Sequence, residues 1–382
     1  LSGVLFIASL YTYHSARIIS PLLIVGFVLI YKNNVFKNLK NVAISILFCS
    51  ILLFPLALDL VKPGFMARVS GVGIFADLGP VWRANEQRGE HEDYQSIMAK
   101  LLHNRPVNYT LSFLNNYGKH FSGEFLFISG DSVQRNKVPE MGVMYLLDLV
   151  FLITGFIFIA NKPKGWGVLL LWLAVSPLAS AFTFQSPSAL RALNMVVPLT
   201  IISAYGLTGI LRQARRIIKN KNLLFTVYCL LFTIYAWDFT RYLHQYYFHM
   251  VKTYDFSSNY ATKELISYIR ENDEKYSNFI ITQRYDQPYI LFLFYLHYEP
   301  KKFINNHILT SRDEYGFSTV PEFGKFHFKK HVAVRESIAN YTKSLVAASP
   351  EEIDDLRTDT EIIKVIYFPS GKPAYFLIKG KW

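Results

Sequence analysis

A multi-pass α-helical membrane bundle followed by an extracytoplasmic α/β domain is the fold class that three observations predict. Hydrophobic residues make up 51% of the 382-residue chain and charged residues only 18%, against roughly 25% charged in soluble domains. The deficit is uneven, because the charge lies outside a handful of apolar blocks, as it does when spans alternate with loops. After Tyr247 the pattern changes to short apolar runs alternating with amphipathic ones, which suits a small water-exposed domain.

Crossing roughly 30 Å of hydrocarbon takes about 20 helical residues at about 1.5 Å each. On that scale residues 1–11 form the tail of a span, 17–31 a short one and 41–61 a full-length one. Further spans are expected at 142–160, 166–184, 190–211 and 223–243. The expected organisation is therefore spans in 1–61, an extracytoplasmic and partly helical loop over 62–140, four spans in 141–247 and a separate domain in 248–382. The chain opens on Leu1, inside an apolar run with no basic segment before it. It is expected to be the N-terminally truncated part of a longer protein.

The formal charge of +12 and sequence pI near 9.4 are expected from basic cytoplasmic loops, and no nucleic-acid recognition motif accompanies them. Lys32, Lys37 and Lys40 lie between the second and third spans, and Lys162 and Lys164 between the fourth and fifth. Arg212, Arg215, Arg216, Lys219 and Lys221 lie between the sixth and seventh. An alternating chain puts all three loops on one side, and the excess of Lys and Arg makes that side cytoplasmic. The turn Tyr11–Arg17, the 62–140 segment, the loop Gln185–Ala189 and everything after Tyr247 then fall outside. Cys49 and Cys229 both sit in apolar blocks, so neither a disulfide nor a thiol nucleophile is expected.

Within 62–140, Tyr94–Leu102 and Tyr109–Tyr117 are amphipathic. Gly71-Val-Gly-Ile-Phe-Ala76 matches a dinucleotide fingerprint only superficially, because that fingerprint needs a strand before it and a helix after it. In the tail, 260–271 reads as a helix, 278–282 as a buried strand and 288–298 as a buried helix. Residues 345–348 read as a strand, 350–356 as a helix with Pro at its start, and 361–368 with 374–379 as a hairpin. Strands alternating with helices predict a doubly wound domain of the Rossmann type, without a phosphate loop.

Three polar clusters fall on the outer side: Tyr11-Thr-Tyr-His14-Ser-Ala-Arg17, Tyr117-Gly-Lys119-His120-Phe121 and Gln185-Ser-Pro-Ser-Ala-Leu-Arg191. A guanidinium fork suits phosphate oxygens, and a neighbouring Tyr or His adds hydrogen bonds. The structural alternatives are an Arg that snorkels to headgroups, a Tyr that anchors at the interface and a His on a solvated face. No pair of carboxylates is expected on one wall. Neither a metal-spaced His/Cys set nor a nucleophile elbow occurs, and the catalytic residue is unknown.

Tyr13-His14-Ser15-Ala16-Arg17 opens a span, His120-Phe121-Ser122 precedes Phe125-Leu126-Phe127, and Ser186-Pro187-Ser188-Ala189-Leu190-Arg191 precedes another span. In these segments the chain resembles the GT-C superfamily of membrane glycosyltransferases. The likeness is to family 39, the group of dolichyl-phosphate-mannose–protein mannosyltransferases and aminoarabinose transferases. Ser188 stands where that family frequently has His. The resemblance implies a GT-C-like bundle in the plasma membrane that moves a sugar from a polyprenyl-phosphate donor to a lipid, glycan or protein acceptor on the outer face. No cofactor is expected and no residue is named as a metal ligand, and membrane lipids are further partners. Arg17 and Arg191 would bind the lipid phosphate, assisted by Tyr13 and His14, while Lys119 and His120 would shape the acceptor side. The acidic residue that activates the acceptor hydroxyl is expected upstream of Leu1. A flippase or transporter of lipid-linked sugars and a non-catalytic membrane scaffold are the alternatives. The first predicts internal repeats and midplane charges, which the sequence lacks.

Overall fold

The structure is a computed structural model that describes residues 2–60, 67–313, 317–353 and 360–381. It divides into two compact units, Leu1–Leu243 and His244–Trp382.

The first unit is helical. It opens with α1 (Ser2–Thr12), α2 (Ala16–Ile30), α3 (Lys32–Lys37) and α4 (Leu39–Leu60). The segment expected to be a partly helical loop contains α5 (Ala67–Val72), α6 (Gly79–Gly89), α7 (Ile97–Leu102) and α8 (Arg105–Lys119). Ser96 caps α7 by accepting the Ala99 N–H, and Asn104 caps α8 by accepting the Val107 N–H, which satisfies donors that a helix start leaves unpaired. Then come α9 (Leu146–Asn161), α10 (Gly167–Val175), α11 (Leu178–Ala181), α12 (Val196–Ile217) and α13 (Lys221–His244). Residues 71–76 are the end of α5 and a single 3₁₀ turn, Ile74–Ala76, with Gly73 bridged to Thr183. Among the described residues no βαβ unit surrounds them.

Every apolar block expected to span is helical. Among the described residues three helical stretches, Leu39–Asp59, Leu193–Ile217 and Lys221–Thr253, are long and apolar enough to cross a membrane, and four other apolar helices are shorter. The block expected at 166–184 is broken between α10 and α11 at Ser176-Pro177, because proline lacks the N–H that would continue the ladder. Along α4, Ile44, Leu47, Phe48, Ile51 and Phe54 are exposed.

The closest packing in this unit joins α9 to α12. A Cβ at Gly206 would meet the Phe151 carbonyl oxygen, and one at Gly155 would meet the Ile202 carbonyl oxygen. Small residues of this kind let helix backbones touch. Around the contact Leu152, Ile159, Leu199 and Ile202 form a buried cluster with Phe125 and Met195. A polar tie reinforces it: the Asp148 carboxylate accepts the Ser203 hydroxyl at 2.7 Å and the Tyr235 hydroxyl, linking α9, α12 and α13.

The second unit starts with a π-helical turn, Gln245–His249, then α14 (Met250–Thr253), α15 (Asp255–Ser258) and α16 (Tyr260–Glu271). Its strands are β1 (Asn278–Thr282), β2 (His307–Ile308), β3 (Glu322–Phe323), β4 (Phe326–Lys329), β5 (Ser344–Ala348), β6 (Thr360–Tyr367) and β7 (Pro373–Gly380). Between them run α17 (Tyr289–Tyr295), α18 (Pro300–Asn306) and α19 (Val334–Asn340). The seven strands form one sheet in the order β2-β3-β4-β1-β5-β7-β6. Alternation along β1 builds two layers: Phe279 and Ile281 pack with Leu265 and Phe292 on one face, while Ile280 packs with Val334 and Val346 on the other. The β6–β7 turn needs Gly371, whose φ of +87° suits glycine.

The expectation of a doubly wound Rossmann-type domain is corrected here. Only β4, β1 and β5 run parallel, and antiparallel strands flank them on both sides. The sheet is mixed, because the short hairpins add strands without crossover helices. The helix expected over 350–356 is a 3₁₀ turn at Pro350–Glu352; residues 354–359 lie outside the described residues. The expected elements at 260–271, 278–282, 288–298, 345–348 and the final hairpin correspond to α16, β1, α17, β5 and β6–β7.

Gly206→Ala should overpack the α9–α12 contact and destabilise the protein by about 1–3 kcal/mol. Gly89→Ala, at a position with no neighbouring atom within 4 Å, should cost nothing. Thermal unfolding of both variants in detergent checks this, and equal midpoints would remove the contact from any account of stability.

Candidate functional site

The segment between α11 and α12 organises the polar groups of the first unit. It carries a cis Ser186–Pro187 bond, and two buried side chains clamp it. His120, at the end of α8, is fully buried. Its Nδ1 lies 2.8 Å from the Asn116 carbonyl, and its Nε2 accepts the Ser188 N–H at 3.3 Å. These partners assign the neutral tautomer with the proton on Nδ1. Burial pushes the imidazole below its ordinary value of 6.5, although the backbone carbonyls of Asn116 and Tyr117 and the charge of Asp131 pull the other way. Asp131 is the second clamp. One carboxylate oxygen accepts the Ala189 N–H at 2.7 Å and the Ser188 hydroxyl at 3.3 Å. The other accepts the Val133 N–H at 2.7 Å.

The clamped segment presents Arg191. Its Nη1 donates to the Thr183 hydroxyl at 3.0 Å and the Gln185 carbonyl at 2.9 Å, and its Nη2 lies 3.4 Å from the Gln185 side-chain oxygen. Opposite, the turn between α1 and α2 presents Tyr13 and His14. Arg17 donates from Nε to the Leu10 carbonyl at 3.2 Å, and its Nη1 lies 3.1 Å from His14 Nδ1. A guanidinium only donates, so that ring nitrogen is the acceptor.

Tyr13, His14 and Arg191 line one cavity of about 130 Å³, together with Ser15, Thr183 and a rim of Ile18, Val72, Ala179 and Phe182. Residues far apart in sequence thus converge. At about 30 Å³ of liquid volume per water, the space suits a group of phosphate size and not a whole lipid-linked sugar. Arg17 stands behind His14 and is not part of the lining. Lys119 and His120 do not join this cavity: Lys119 is exposed, and both ring nitrogens of His120 are engaged within the clamp. His120 positions the segment that carries Arg191.

The expectation that no two carboxylates share a wall is corrected by a second cavity, of about 500 Å³, lined by both Asp131 and Asp148. Asp148 had a signal, an acid inside an apolar block, which is costly in a membrane and usually functional. Asp131 had none, since its partners lie on the segment that begins at Pro187. Among the described residues, no group of three His, Cys, Asp or Glu side chains is placed to hold a metal ion.

The depressed His120 value carries a sign. In the unfolded chain the imidazole takes up its proton as pH falls through about 6.5, before the folded one does. Its contribution to stability is therefore complete above that value and is lost as pH falls below it. The melting temperature should drop between about pH 7.5 and 5.5 more steeply in the wild type than in His120→Asn, which cannot titrate. Parallel curves would remove His120 from the pH dependence. Comparisons with protein-family models, with curated proteins and with solved structures return no match for this chain.

Proposed function

We propose that the chain is part of a multi-pass membrane glycosyltransferase of the GT-C type, one that takes a sugar from a polyprenyl-phosphate donor and hands it to an acceptor on the outer face. The observation that carries this proposal is the cavity in which Tyr13, His14 and Arg191 meet, with Arg17 bonded to His14. Two arginines near one small cavity suit a departing lipid phosphate, whose developing charge a guanidinium stabilises. Tyr13 and His14 add hydrogen bonds to the same oxygens. The acceptor is a lipid, a glycan or a protein.

Membrane insertion is the first half of the proposal. Exposed Leu, Ile and Phe side chains run along α4, and Phe225, Leu230, Phe232 and Trp237 are exposed on α13. Apolar surface of that extent calls for lipid or a partner. The basic loops at Lys32–Lys40, Lys162–Lys164 and Arg212–Lys221 favour a cytoplasmic location for those turns. With them inside, the arginine cavity and the second unit face outward, in the plasma membrane.

Sugar transfer in membranes carrying the protein, with a labelled polyprenyl-phosphate sugar, tests the activity. Charge-assisted hydrogen bonds are worth about 1.5–3 kcal/mol, so Arg191→Ala should lower transfer by roughly 10- to 100-fold at normal expression, and Arg17→Ala, which acts through His14, should lower it less. Unchanged transfer in both would reduce the arginines to headgroup anchors. Orientation is tested separately in intact cells by replacing Cys49 and Cys229 with Ala. A membrane-impermeant thiol reagent should then label Ser370→Cys and leave Lys219→Cys unlabelled. The opposite pattern inverts the topology.

A further inference from the structure

The larger cavity is used by nothing described so far. It lies where α9 and α12 begin, and its volume of about 500 Å³ falls within the range of small-molecule sites, about 300–1,000 Å³. Met141, Met144, Met195 and Leu199 supply apolar wall, and Asp131, Lys137, Tyr145, Asp148 and Tyr242 supply polar groups. Sites with this balance take ligands that are apolar in bulk and held in register by a few hydrogen bonds.

The polar groups narrow the class. A carboxylate only accepts, at about four lone-pair positions, and each of these two has three in use. Asp131 accepts from the Val133 and Ala189 N–H groups and the Ser188 hydroxyl. Asp148 accepts from the Tyr145 N–H and the hydroxyls of Ser203 and Tyr235. One acceptor position is left on each, and neither carboxylate can donate, so a ligand that brings donors is favoured over one that brings only acceptors. Two carboxylates against the single ammonium of Lys137 disfavour an anionic headgroup, and that ammonium in turn disfavours a cationic one. Neutral hydroxyls satisfy both signs. The phenols of Tyr145 and Tyr242 border the same space.

We infer that this cavity binds the neutral polyol headgroup of an amphiphile, whose chain lies along the methionine-rich wall. The clamped segment separates it from the arginine cavity: Ala189 and Ala192 face the larger space and Arg191 the smaller one. The inference stands on the larger cavity alone and does not require sugar transfer.

The test uses the protein in phosphatidylcholine nanodiscs with an octyl glucoside carrying a diazirine on its chain. Mass spectrometry should place the label on 141–144 and 195–199, and excess unmodified octyl glucoside should suppress it. Thr200→Trp and Val196→Phe place bulk at two exposed lining positions, and each should reduce labelling about tenfold while melting like the wild type. Arg191→Ala should leave labelling unchanged, which separates this site from the proposed phosphate site. Label spread over the lipid-facing surface of α13, label that excess octyl glucoside does not suppress, or label unaffected by both filling variants would overturn the inference. So would equal labelling of the same peptides by a diazirine-bearing octyl phosphate.

Discussion

Two buried side chains, His120 and Asp131, fix the path of the segment from Pro187 to Ala192, and most of the polar geometry of the first unit follows from them. Neither is held by an ion pair in that segment. His120 works as a neutral donor and acceptor, and Asp131 as an acceptor of backbone and hydroxyl protons. Such a clamp tolerates burial because each polar atom is matched, and an unmatched one would cost on the order of 1–3 kcal/mol. With the segment held, Arg191 reaches Thr183 and Gln185 on one side while Ala189 borders the larger cavity on the other.

The helical part of the fold was legible because hydropathy is a local signal. All seven apolar blocks became helix, and even the break at Ser176-Pro177 follows from one residue's chemistry. The second unit was legible where elements were long. Strands β2 and β3, of two residues each, are too short to show a period, and together with β7, which pairs antiparallel to β5, they convert an expected doubly wound sheet into a mixed one. The parallel pairing of β4, of four residues, is decided by a partner distant in sequence, with Phe326 opposite Phe279.

The candidate site divides along the same line. The identities of Tyr13, His14, Arg17 and Arg191 stood out because charge and aromatic hydroxyls cluster at the ends of apolar blocks. The meeting of Tyr13, His14 and Arg191 in one cavity did not, since it depends on how α2 and α11 pack. His120 was the hardest case. In sequence it sits beside Lys119 and looks solvated, yet the fold places Lys119 outside and His120 wholly within. One residue step along the end of α8 turns a side chain by about 100°, enough to exchange solvent for core.

The backbone contact between Gly155 and Gly206 also has a mechanical side. Where two helices touch without intervening side chains, neither can roll about its own axis without driving main-chain atoms together, so α9 and α12 act as one stiff spar. Helix α13 meets them differently, through side chains such as Tyr235, whose hydroxyl reaches Asp148 and whose ring stacks near Phe151. Side-chain contacts can slide and re-form. Within the first unit, any bending has to be taken up away from the spar, at joints such as the break between α10 and α11 or along α13, and the cavity mouth built on the start of α9 and α12 keeps one fixed edge.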